Sequence, residues 1–404
     1  MAPSIPNMRM TMGYSTCCIA VFFCCFSCTG NVSDDRQPDD VTAPPVWTCG
    51  TTDSAIPRQL DLPAPANNGV FDFSLESDPD NNRLWASFSG VQGPAGTGYI
   101  STLLGFSDDG GATWCSTDPV NAAVEVNEAD LPAGLVGLPA HWNHEVSTLV
   151  RDPSAPAEER WKLVWHRYLE AIDPDPAVEP RRFQYGWMAM KAAPTPEGLL
   201  HATERTLFAA APYSLPGIID YNQAVSTPPE VDWTGTDVAD CVVFTEPGAH
   251  ATATHLYLTF TCVLPDLERR VVLVERDAAG VWRFVANLVT QASAQAVMDS
   301  TGPPGAVTLG GASASAIFDT SEGPILSVTP VAPEYRGCWF FPLTLETGEL
   351  GNGGIPTRVL PHAAGSFLSG MCDWDMAATQ TGIVFGEVHE TVEQFRLFAT
   401  GQVF

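Results

Sequence analysis

Short runs of apolar and β-branched residues alternate along this chain with clusters of Gly, Pro, Asp and Asn, and no stretch sustains the period of a long amphipathic helix. From about residue 47 onward the runs fall into five groups. Residues 70–75, 83–89 and 99–106 form the first, and 145–151, 161–168 and 185–192 the second. The third comprises 241–244, 255–263 and 271–275 with 281–289, and the fourth 314–319, 324–329 and 338–345. The fifth, 376–388 with 394–400, is one strand short, and the segment from Trp47 to Leu62 is expected to supply it. Groups recurring every roughly 65 to 95 residues predict radially repeated sheets rather than a single sandwich.

The fold predicted is therefore all-β, a five-bladed β-propeller of four-stranded antiparallel blades over residues 47–404. Ring closure by the N-terminal segment would hide the sheet edges that otherwise invite aggregation. With 45% hydrophobic and 16% charged residues, most of the chain can bury a core. A formal charge of −28 excludes a nucleic-acid partner, because such a chain repels phosphate backbones. Neither a P-loop, a G-x-S-x-G elbow nor a dinucleotide fingerprint is present, and Lys occurs only at positions 162 and 191.

Residues 1–27 read as a signal peptide: the apolar run from Cys17 to Cys28 is, at about a dozen residues, too short to span a bilayer. Ser27-Cys28 resembles a bacterial lipobox, which implies lipidation of Cys28 and a cell-envelope or secreted protein whose membrane contact is through that anchor alone. Residues 28–46, rich in Asp and Pro, read as a flexible tether. The six cysteines beyond Cys28 form an even set that suggests disulfides in an exported chain, with Cys241 and Cys262 placed as cross-strand neighbours. None has metal-site spacing, so no metal is expected on the thiolates.

Ser107-Asp108-Asp109-Gly110-Gly111-Ala112-Thr113-Trp114 matches S-x-D-x-G-x-T-W at every fixed position and resembles the Asp-box hairpin of sialidases and other propellers. Ser107, Asp109, Gly111, Thr113 and Trp114 are accordingly structural: Asp and Ser satisfy turn donors, Gly takes a positive φ, and Trp packs beneath. Arg276 to Trp282 resembles a degenerate copy. The Phe-Arg-Ile-Pro segment of sialidases is absent.

Trp142-Asn143-His144-Glu145-Val146, followed by a turn and the aromatic run Trp161 to Trp165, resembles the opening of the second blade in arabinanase- and xylosidase-type glycosidases. The resemblance implies one funnel carboxylate from each of the first three blades, as general base, pKa modulator and general acid, the third usually Glu. The corresponding residues here are Asp72, Glu145 and Asp240. Glycoside hydrolysis needs one carboxyl protonated and another ionised, and convergence at a funnel separates their pKa values. His144, Trp142, Trp374, Asp373 and Asp375 are candidate substrate contacts, with Trp233 a further stacking platform. Strand alternation puts Asp373 and Asp375 on one face, where they suit a sugar hydroxyl or calcium. His141 and His144 with Glu145 have the residue types of a metal site, and ordinary hydrogen bonding is the expectation for the two histidines. The reading is an exported, monomeric, carbohydrate-active propeller without a cofactor; the rival is a non-catalytic surface propeller binding carbohydrate or protein.

Overall fold

The computed structural model describes residues 47–51, 57–92, 98–126, 131, 135–172, 186–209, 230–231, 233, 236–301, 311–331, 337–361, 366–368, 370–389 and 395–404. Cys28, the leader and the tether lie outside them. Five antiparallel sheets of four or five strands follow one another along the chain, as predicted. Blade 1 holds Val70–Asp78, Arg83–Gln92, Tyr99–Ser107 and Thr113–Ser116; blade 2 holds Ala140–Arg151, Trp161–Ala171, Gly186–Ala193 and Arg205–Phe208. Blade 3 consists of Val243–Ala251, His255–Val263, Arg269–Asp277 and Trp282–Val289, and the helix Gln291–Thr301 follows it. Blade 4 is built from Ala312–Thr320, Gly323–Pro330, Gly337–Thr344 and Arg358–Pro361, and blade 5 from Ser366–Leu368, Val384–His389 and Phe395–Ala399.

The N-terminal segment closes the ring twice over. Arg58–Gln59 pairs with Phe395–Ala399 as the fourth strand of blade 5. Thr48–Thr51 pairs with Thr113–Ser116 as an extra outer strand of blade 1, where Cys49 is disulfide-bonded to Cys115. Cys241, just before the first strand of blade 3, is disulfide-bonded to Cys262 of the second, the pair expected from sequence, and Cys338–Cys372 links blades 4 and 5.

Each sheet packs against a neighbour on both faces, and the core is correspondingly divided among the seams. Trp85, Leu104, Leu149 and Trp165 fill the seam between blades 1 and 2. Met188, Phe244 and Phe260 fill that between 2 and 3, and Leu273, Val297 and Trp339 that between 3 and 4. Phe318, Phe340 and Trp374 pack between blades 4 and 5, and Phe73, Trp114 and Leu397 between 5 and 1. Leu84 to Val91 is buried without interruption because its sheet is covered on both faces. The first strands of blades 1 to 4 contact one another and so line the axis.

Candidate functional site

The first strands of blades 1 to 4 each break register at a bulge: between Phe71 and Ser74, Glu145 and Ser147, Thr245 and Gly248, and Ser313 and Ala316. The extra residue takes a left-handed conformation every time, at Asp72 (φ 54°), Val146 (47°), Glu246 (55°) and Ala314 (49°). Side chains with a Cβ resist that region, and a bulge turns the residue out of the ladder. The repeated strain re-aims the inner-strand side chains at equivalent places around the axis. Val146 and Ala314 form an apolar plug there with Ala316 and Met371.

Asp72 and Glu246 occupy equivalent bulge positions in blades 1 and 3, and Glu145 immediately precedes the bulge of blade 2. All three are buried. Ser89 Oγ donates to Asp72 Oδ2 at 3.1 Å and accepts the Val146 N–H at 3.0 Å. The Tyr168 hydroxyl donates to Glu145 Oε2 at 2.6 Å. Glu246 Oε2 accepts the Thr261 hydroxyl at 2.9 Å and the Ala314 N–H at 3.0 Å. Burial, then the charges of Glu145 and Glu246, push the Asp72 carboxyl well above the usual carboxylate range, with Ser89 and the Val146 backbone opposing in part. His166 Nδ1 lies 3.0 Å from the Thr245 hydroxyl beside Glu246, and burial pushes this imidazole down to about 3, so it is neutral.

Of the carboxylates expected from sequence, Asp72 and Glu145 come together and Asp240 does not join them. Asp240 stands on the surface, ion-paired with Arg270, in the turn before blade 3. Glu246, six residues further along, is the blade 3 carboxylate that reaches Asp72 electrostatically. Thr245-Glu246-Pro247-Gly248 reads as a turn, and its Pro-Gly step hides a strand that continues through the bulge to Ala251.

The expected substrate contacts each have partners within the protein. His144 accepts the Trp165 indole N–H at 2.9 Å, and burial, then Arg167 and Lys191, hold its imidazole well below the ordinary value. His141 instead faces Glu170 at 3.6 Å and stacks on Tyr99, so the two histidines diverge. Trp142 packs on Trp187 with the Arg167 guanidinium 4.9 Å above its ring. Trp374 is buried against Phe318 and Phe404, and Trp233 against Phe208. Asp373 Oδ2 accepts the Leu75 N–H and Oδ1 the Trp374 N–H, both at 2.8 Å. Asp375 accepts the N–H groups of Ser77 and Ala377. Among the described residues the one cluster with metal-ligand spacing is Asp240, Cys241 and Cys262, whose two sulfurs are bonded to each other.

The Ser107–Trp114 turn is hydrogen-bonded throughout. Asp109 Oδ1 accepts the Thr113 N–H and Oδ2 its hydroxyl, both at 2.8 Å, while Ser107 Oγ accepts the Gly111 N–H. Gly111 has φ 93°, and Trp114 is fully buried.

No family model matches this sequence, and no curated protein matches it at a significant level. Solved structures resemble it at low identity. An endo-arabinase from Bacteroides thetaiotaomicron is 9% identical with a TM-score of 0.44, covering 85% of this chain and 98% of its own. An α-L-arabinofuranosidase from Podospora anserina is 9% identical with a TM-score of 0.41, covering 85% of this chain and 96% of its own. A fructan 1-exohydrolase from Cichorium intybus is 12% identical with a TM-score of 0.42, covering 84% of this chain and 56% of its own.

Proposed function

We propose that this chain is a carbohydrate-active propeller that hydrolyses glycosidic bonds at the carboxylate set of Asp72, Glu145 and Glu246. The observation carrying this reading is that three buried carboxyl groups, from three consecutive blades, meet closely enough for both glutamates to raise Asp72. Like charges sharing a desolvated site cannot all ionise together, and Asp72 is the carboxyl that burial and its two neighbours raise. Donating to a leaving oxygen needs a carboxyl held protonated in this way. The three disulfides support an oxidising compartment, to which the N-terminal apolar run would deliver the chain.

The test is release of reducing sugar from arabinan, xylan, fructan and mannan oligosaccharides by the full chain and by Glu145→Gln and Glu246→Gln. Each substitution is expected to lower turnover by about 10²-fold or more while melting temperature stays within a few degrees. Unchanged turnover in both variants removes the glutamates from the mechanism. A specific observation favours the rival binding propeller: Asp72, Glu145 and Glu246 are 0%, 4% and 6% exposed. Saturable oligosaccharide binding by calorimetry, with no sugar released, would establish that reading instead.

A further inference from the structure

Where the seam between blades 1 and 2 opens to solvent, a second group of ionisable side chains lies apart from the three axial carboxyls. Glu125 is paired directly with His141 on one side, and Glu170 directly with His141 on the other. Residues opposite one another in an antiparallel ladder point to the same face, so this row presents a carboxylate, an imidazole and a carboxylate together. His141 is 1% exposed, and its Nε2 has no hydrogen-bond partner among the described residues, in place of the ordinary hydrogen bonding expected from sequence. An unpaired buried polar atom is costly, and its cost is met by a ligand. The atom that Nε2 faces is Glu170 Oε2, at 3.6 Å. That separation is too long for a hydrogen bond. A cation about 2.1 Å from both atoms would see them about 118° apart, near the tetrahedral angle that zinc adopts. A water about 2.8 Å from both would hold them at about 80°, well inside its own tetrahedral angle.

The row is held in place from both blades. Asn143 Nδ2 donates to Glu170 Oε2 at 2.9 Å, and Asn143 Oδ1 accepts the Ile100 N–H of blade 1, so the amide orients the carboxylate that faces His141. Outer partners of this kind fix the ligands of a metal site. The Tyr99 ring stacks on the imidazole with centroids 4.3 Å apart, and its hydroxyl donates to Glu125 Oε1 at 3.0 Å. Burial, then Glu125 and Glu170, push this phenol up to about 12, so it stays a donor within reach of both carboxylates. Glu125 stands outside the ligand spacing of the other two, and it is exposed. Rotation of that one free-standing side chain away from Tyr99 brings it in.

We propose that His141 and Glu170, with Glu125 turned in from Tyr99, bind a divalent transition-metal ion of the zinc class. One imidazole and two carboxylates leave a fourth position for water. The imidazole favours zinc over calcium and magnesium, which take oxygen ligands. The site is independent of the hydrolase reading, since His141 lies four residues before Glu145, about 13 Å away along an extended strand.

The full chain, stripped with chelator and returned to chelator-free buffer, is titrated with zinc chloride by calorimetry. One equivalent is expected to bind. His141→Gln and Glu125→Gln are each expected to weaken it by at least the roughly 10- to 100-fold that loss of an outer partner costs a metal site. Glu125 is exposed, so its variant reports on binding even where the buried histidine variant fails to fold, and a melting temperature within a few degrees of the wild type checks this. No uptake at millimolar zinc overturns the site, and wild-type affinity in either folded variant overturns the three-residue set and makes the bound zinc adventitious. X-ray absorption of the zinc-loaded chain is a second reading that needs no variant. It is expected to show one imidazole with oxygen at the remaining positions; sulfur in the shell, or no imidazole, places the ion elsewhere and overturns the proposal.

Discussion

Left-handed backbone at a β-branched residue such as Val146 is held only where its surroundings over-determine it, and here the same conformation recurs in four blades. The residue facing Asp72 from blade 5 is Gly370 (φ 79°), where an added Cβ would lie 1.7 Å from Asp72 Oδ1 and 2.9 Å from its Cα. Gly370→Ala is therefore expected to lower the melting temperature and to displace Asp72, with loss of turnover; a variant with wild-type melting temperature and activity would show that the carboxyl has room elsewhere. Sequence made Asp72 and Glu145 legible because each sits in or beside an obvious apolar run. Glu246 was not legible, because Asp, Val, Glu and Ala all fill the bulge and no propensity marks it. Only the cross-strand pairing of blade 3 shows that Glu246 belongs to the inner strand, while Asp240 lies in the turn before it.

At the scale of elements, the Ser107–Trp114 turn was legible to the individual hydrogen bond, since its side chains satisfy the turn by themselves. The same holds for the turn after Asp277, whose carboxyl accepts the Ala279 and Val281 N–H groups. The turn also joins two blades: Gly110 O accepts the Gln380 N–H of blade 5, and Trp114 lies in one buried cluster with Leu397 of that blade. Two variants separate the contributions. Asp109→Ala removes exposed hydrogen bonds and is expected to destabilise by about 0.5–1.5 kcal/mol. Trp114→Ala empties a fully buried site at the seam of blades 5 and 1 and is expected to destabilise by about 3–5 kcal/mol. Chemical denaturation checks the order; equal effects would mean that the turn's own bonds, not the seam beneath it, carry the stability. Trp142 and Trp374 show how ambiguous such rings are: a propeller uses its large rings between sheets, and a sequence does not distinguish a seam from a sugar platform.

Three seams of the ring share a joint in which one inner strand accepts a backbone N–H from the next. Ser74 Oγ accepts the Leu149 N–H of blade 2, and Thr148 Oγ1 accepts the Ala249 N–H of blade 3. At the closing seam the corresponding acceptor of the Leu75 N–H is a carboxyl, Asp373, where the earlier joints use a hydroxyl. Burial, and then Asp375, push Asp373 up to about 8 against the N–H groups of Leu75 and Trp374 and the Ser74 hydroxyl. Glu76 and Asp375, which adjoin it, are raised as well, with Arg151 counteracting at Glu76. An unfolded aspartate ionises near 3.9, so between that pH and about 8 the folded chain binds more protons than the unfolded one. Stability must then fall as pH rises through this window and level off above it. Asp373→Ser supplies the hydroxyl joint of the 1–2 and 2–3 seams without a titrating group. Its melting temperature, followed by calorimetry from pH 5 to pH 9, is expected to decline less steeply than that of the wild type, the residual slope belonging to Asp72, Glu76 and Asp375. Parallel curves for the two proteins would mean that Asp373 stays ionised at the seam, held by its backbone donors, and that ring closure is indifferent to pH.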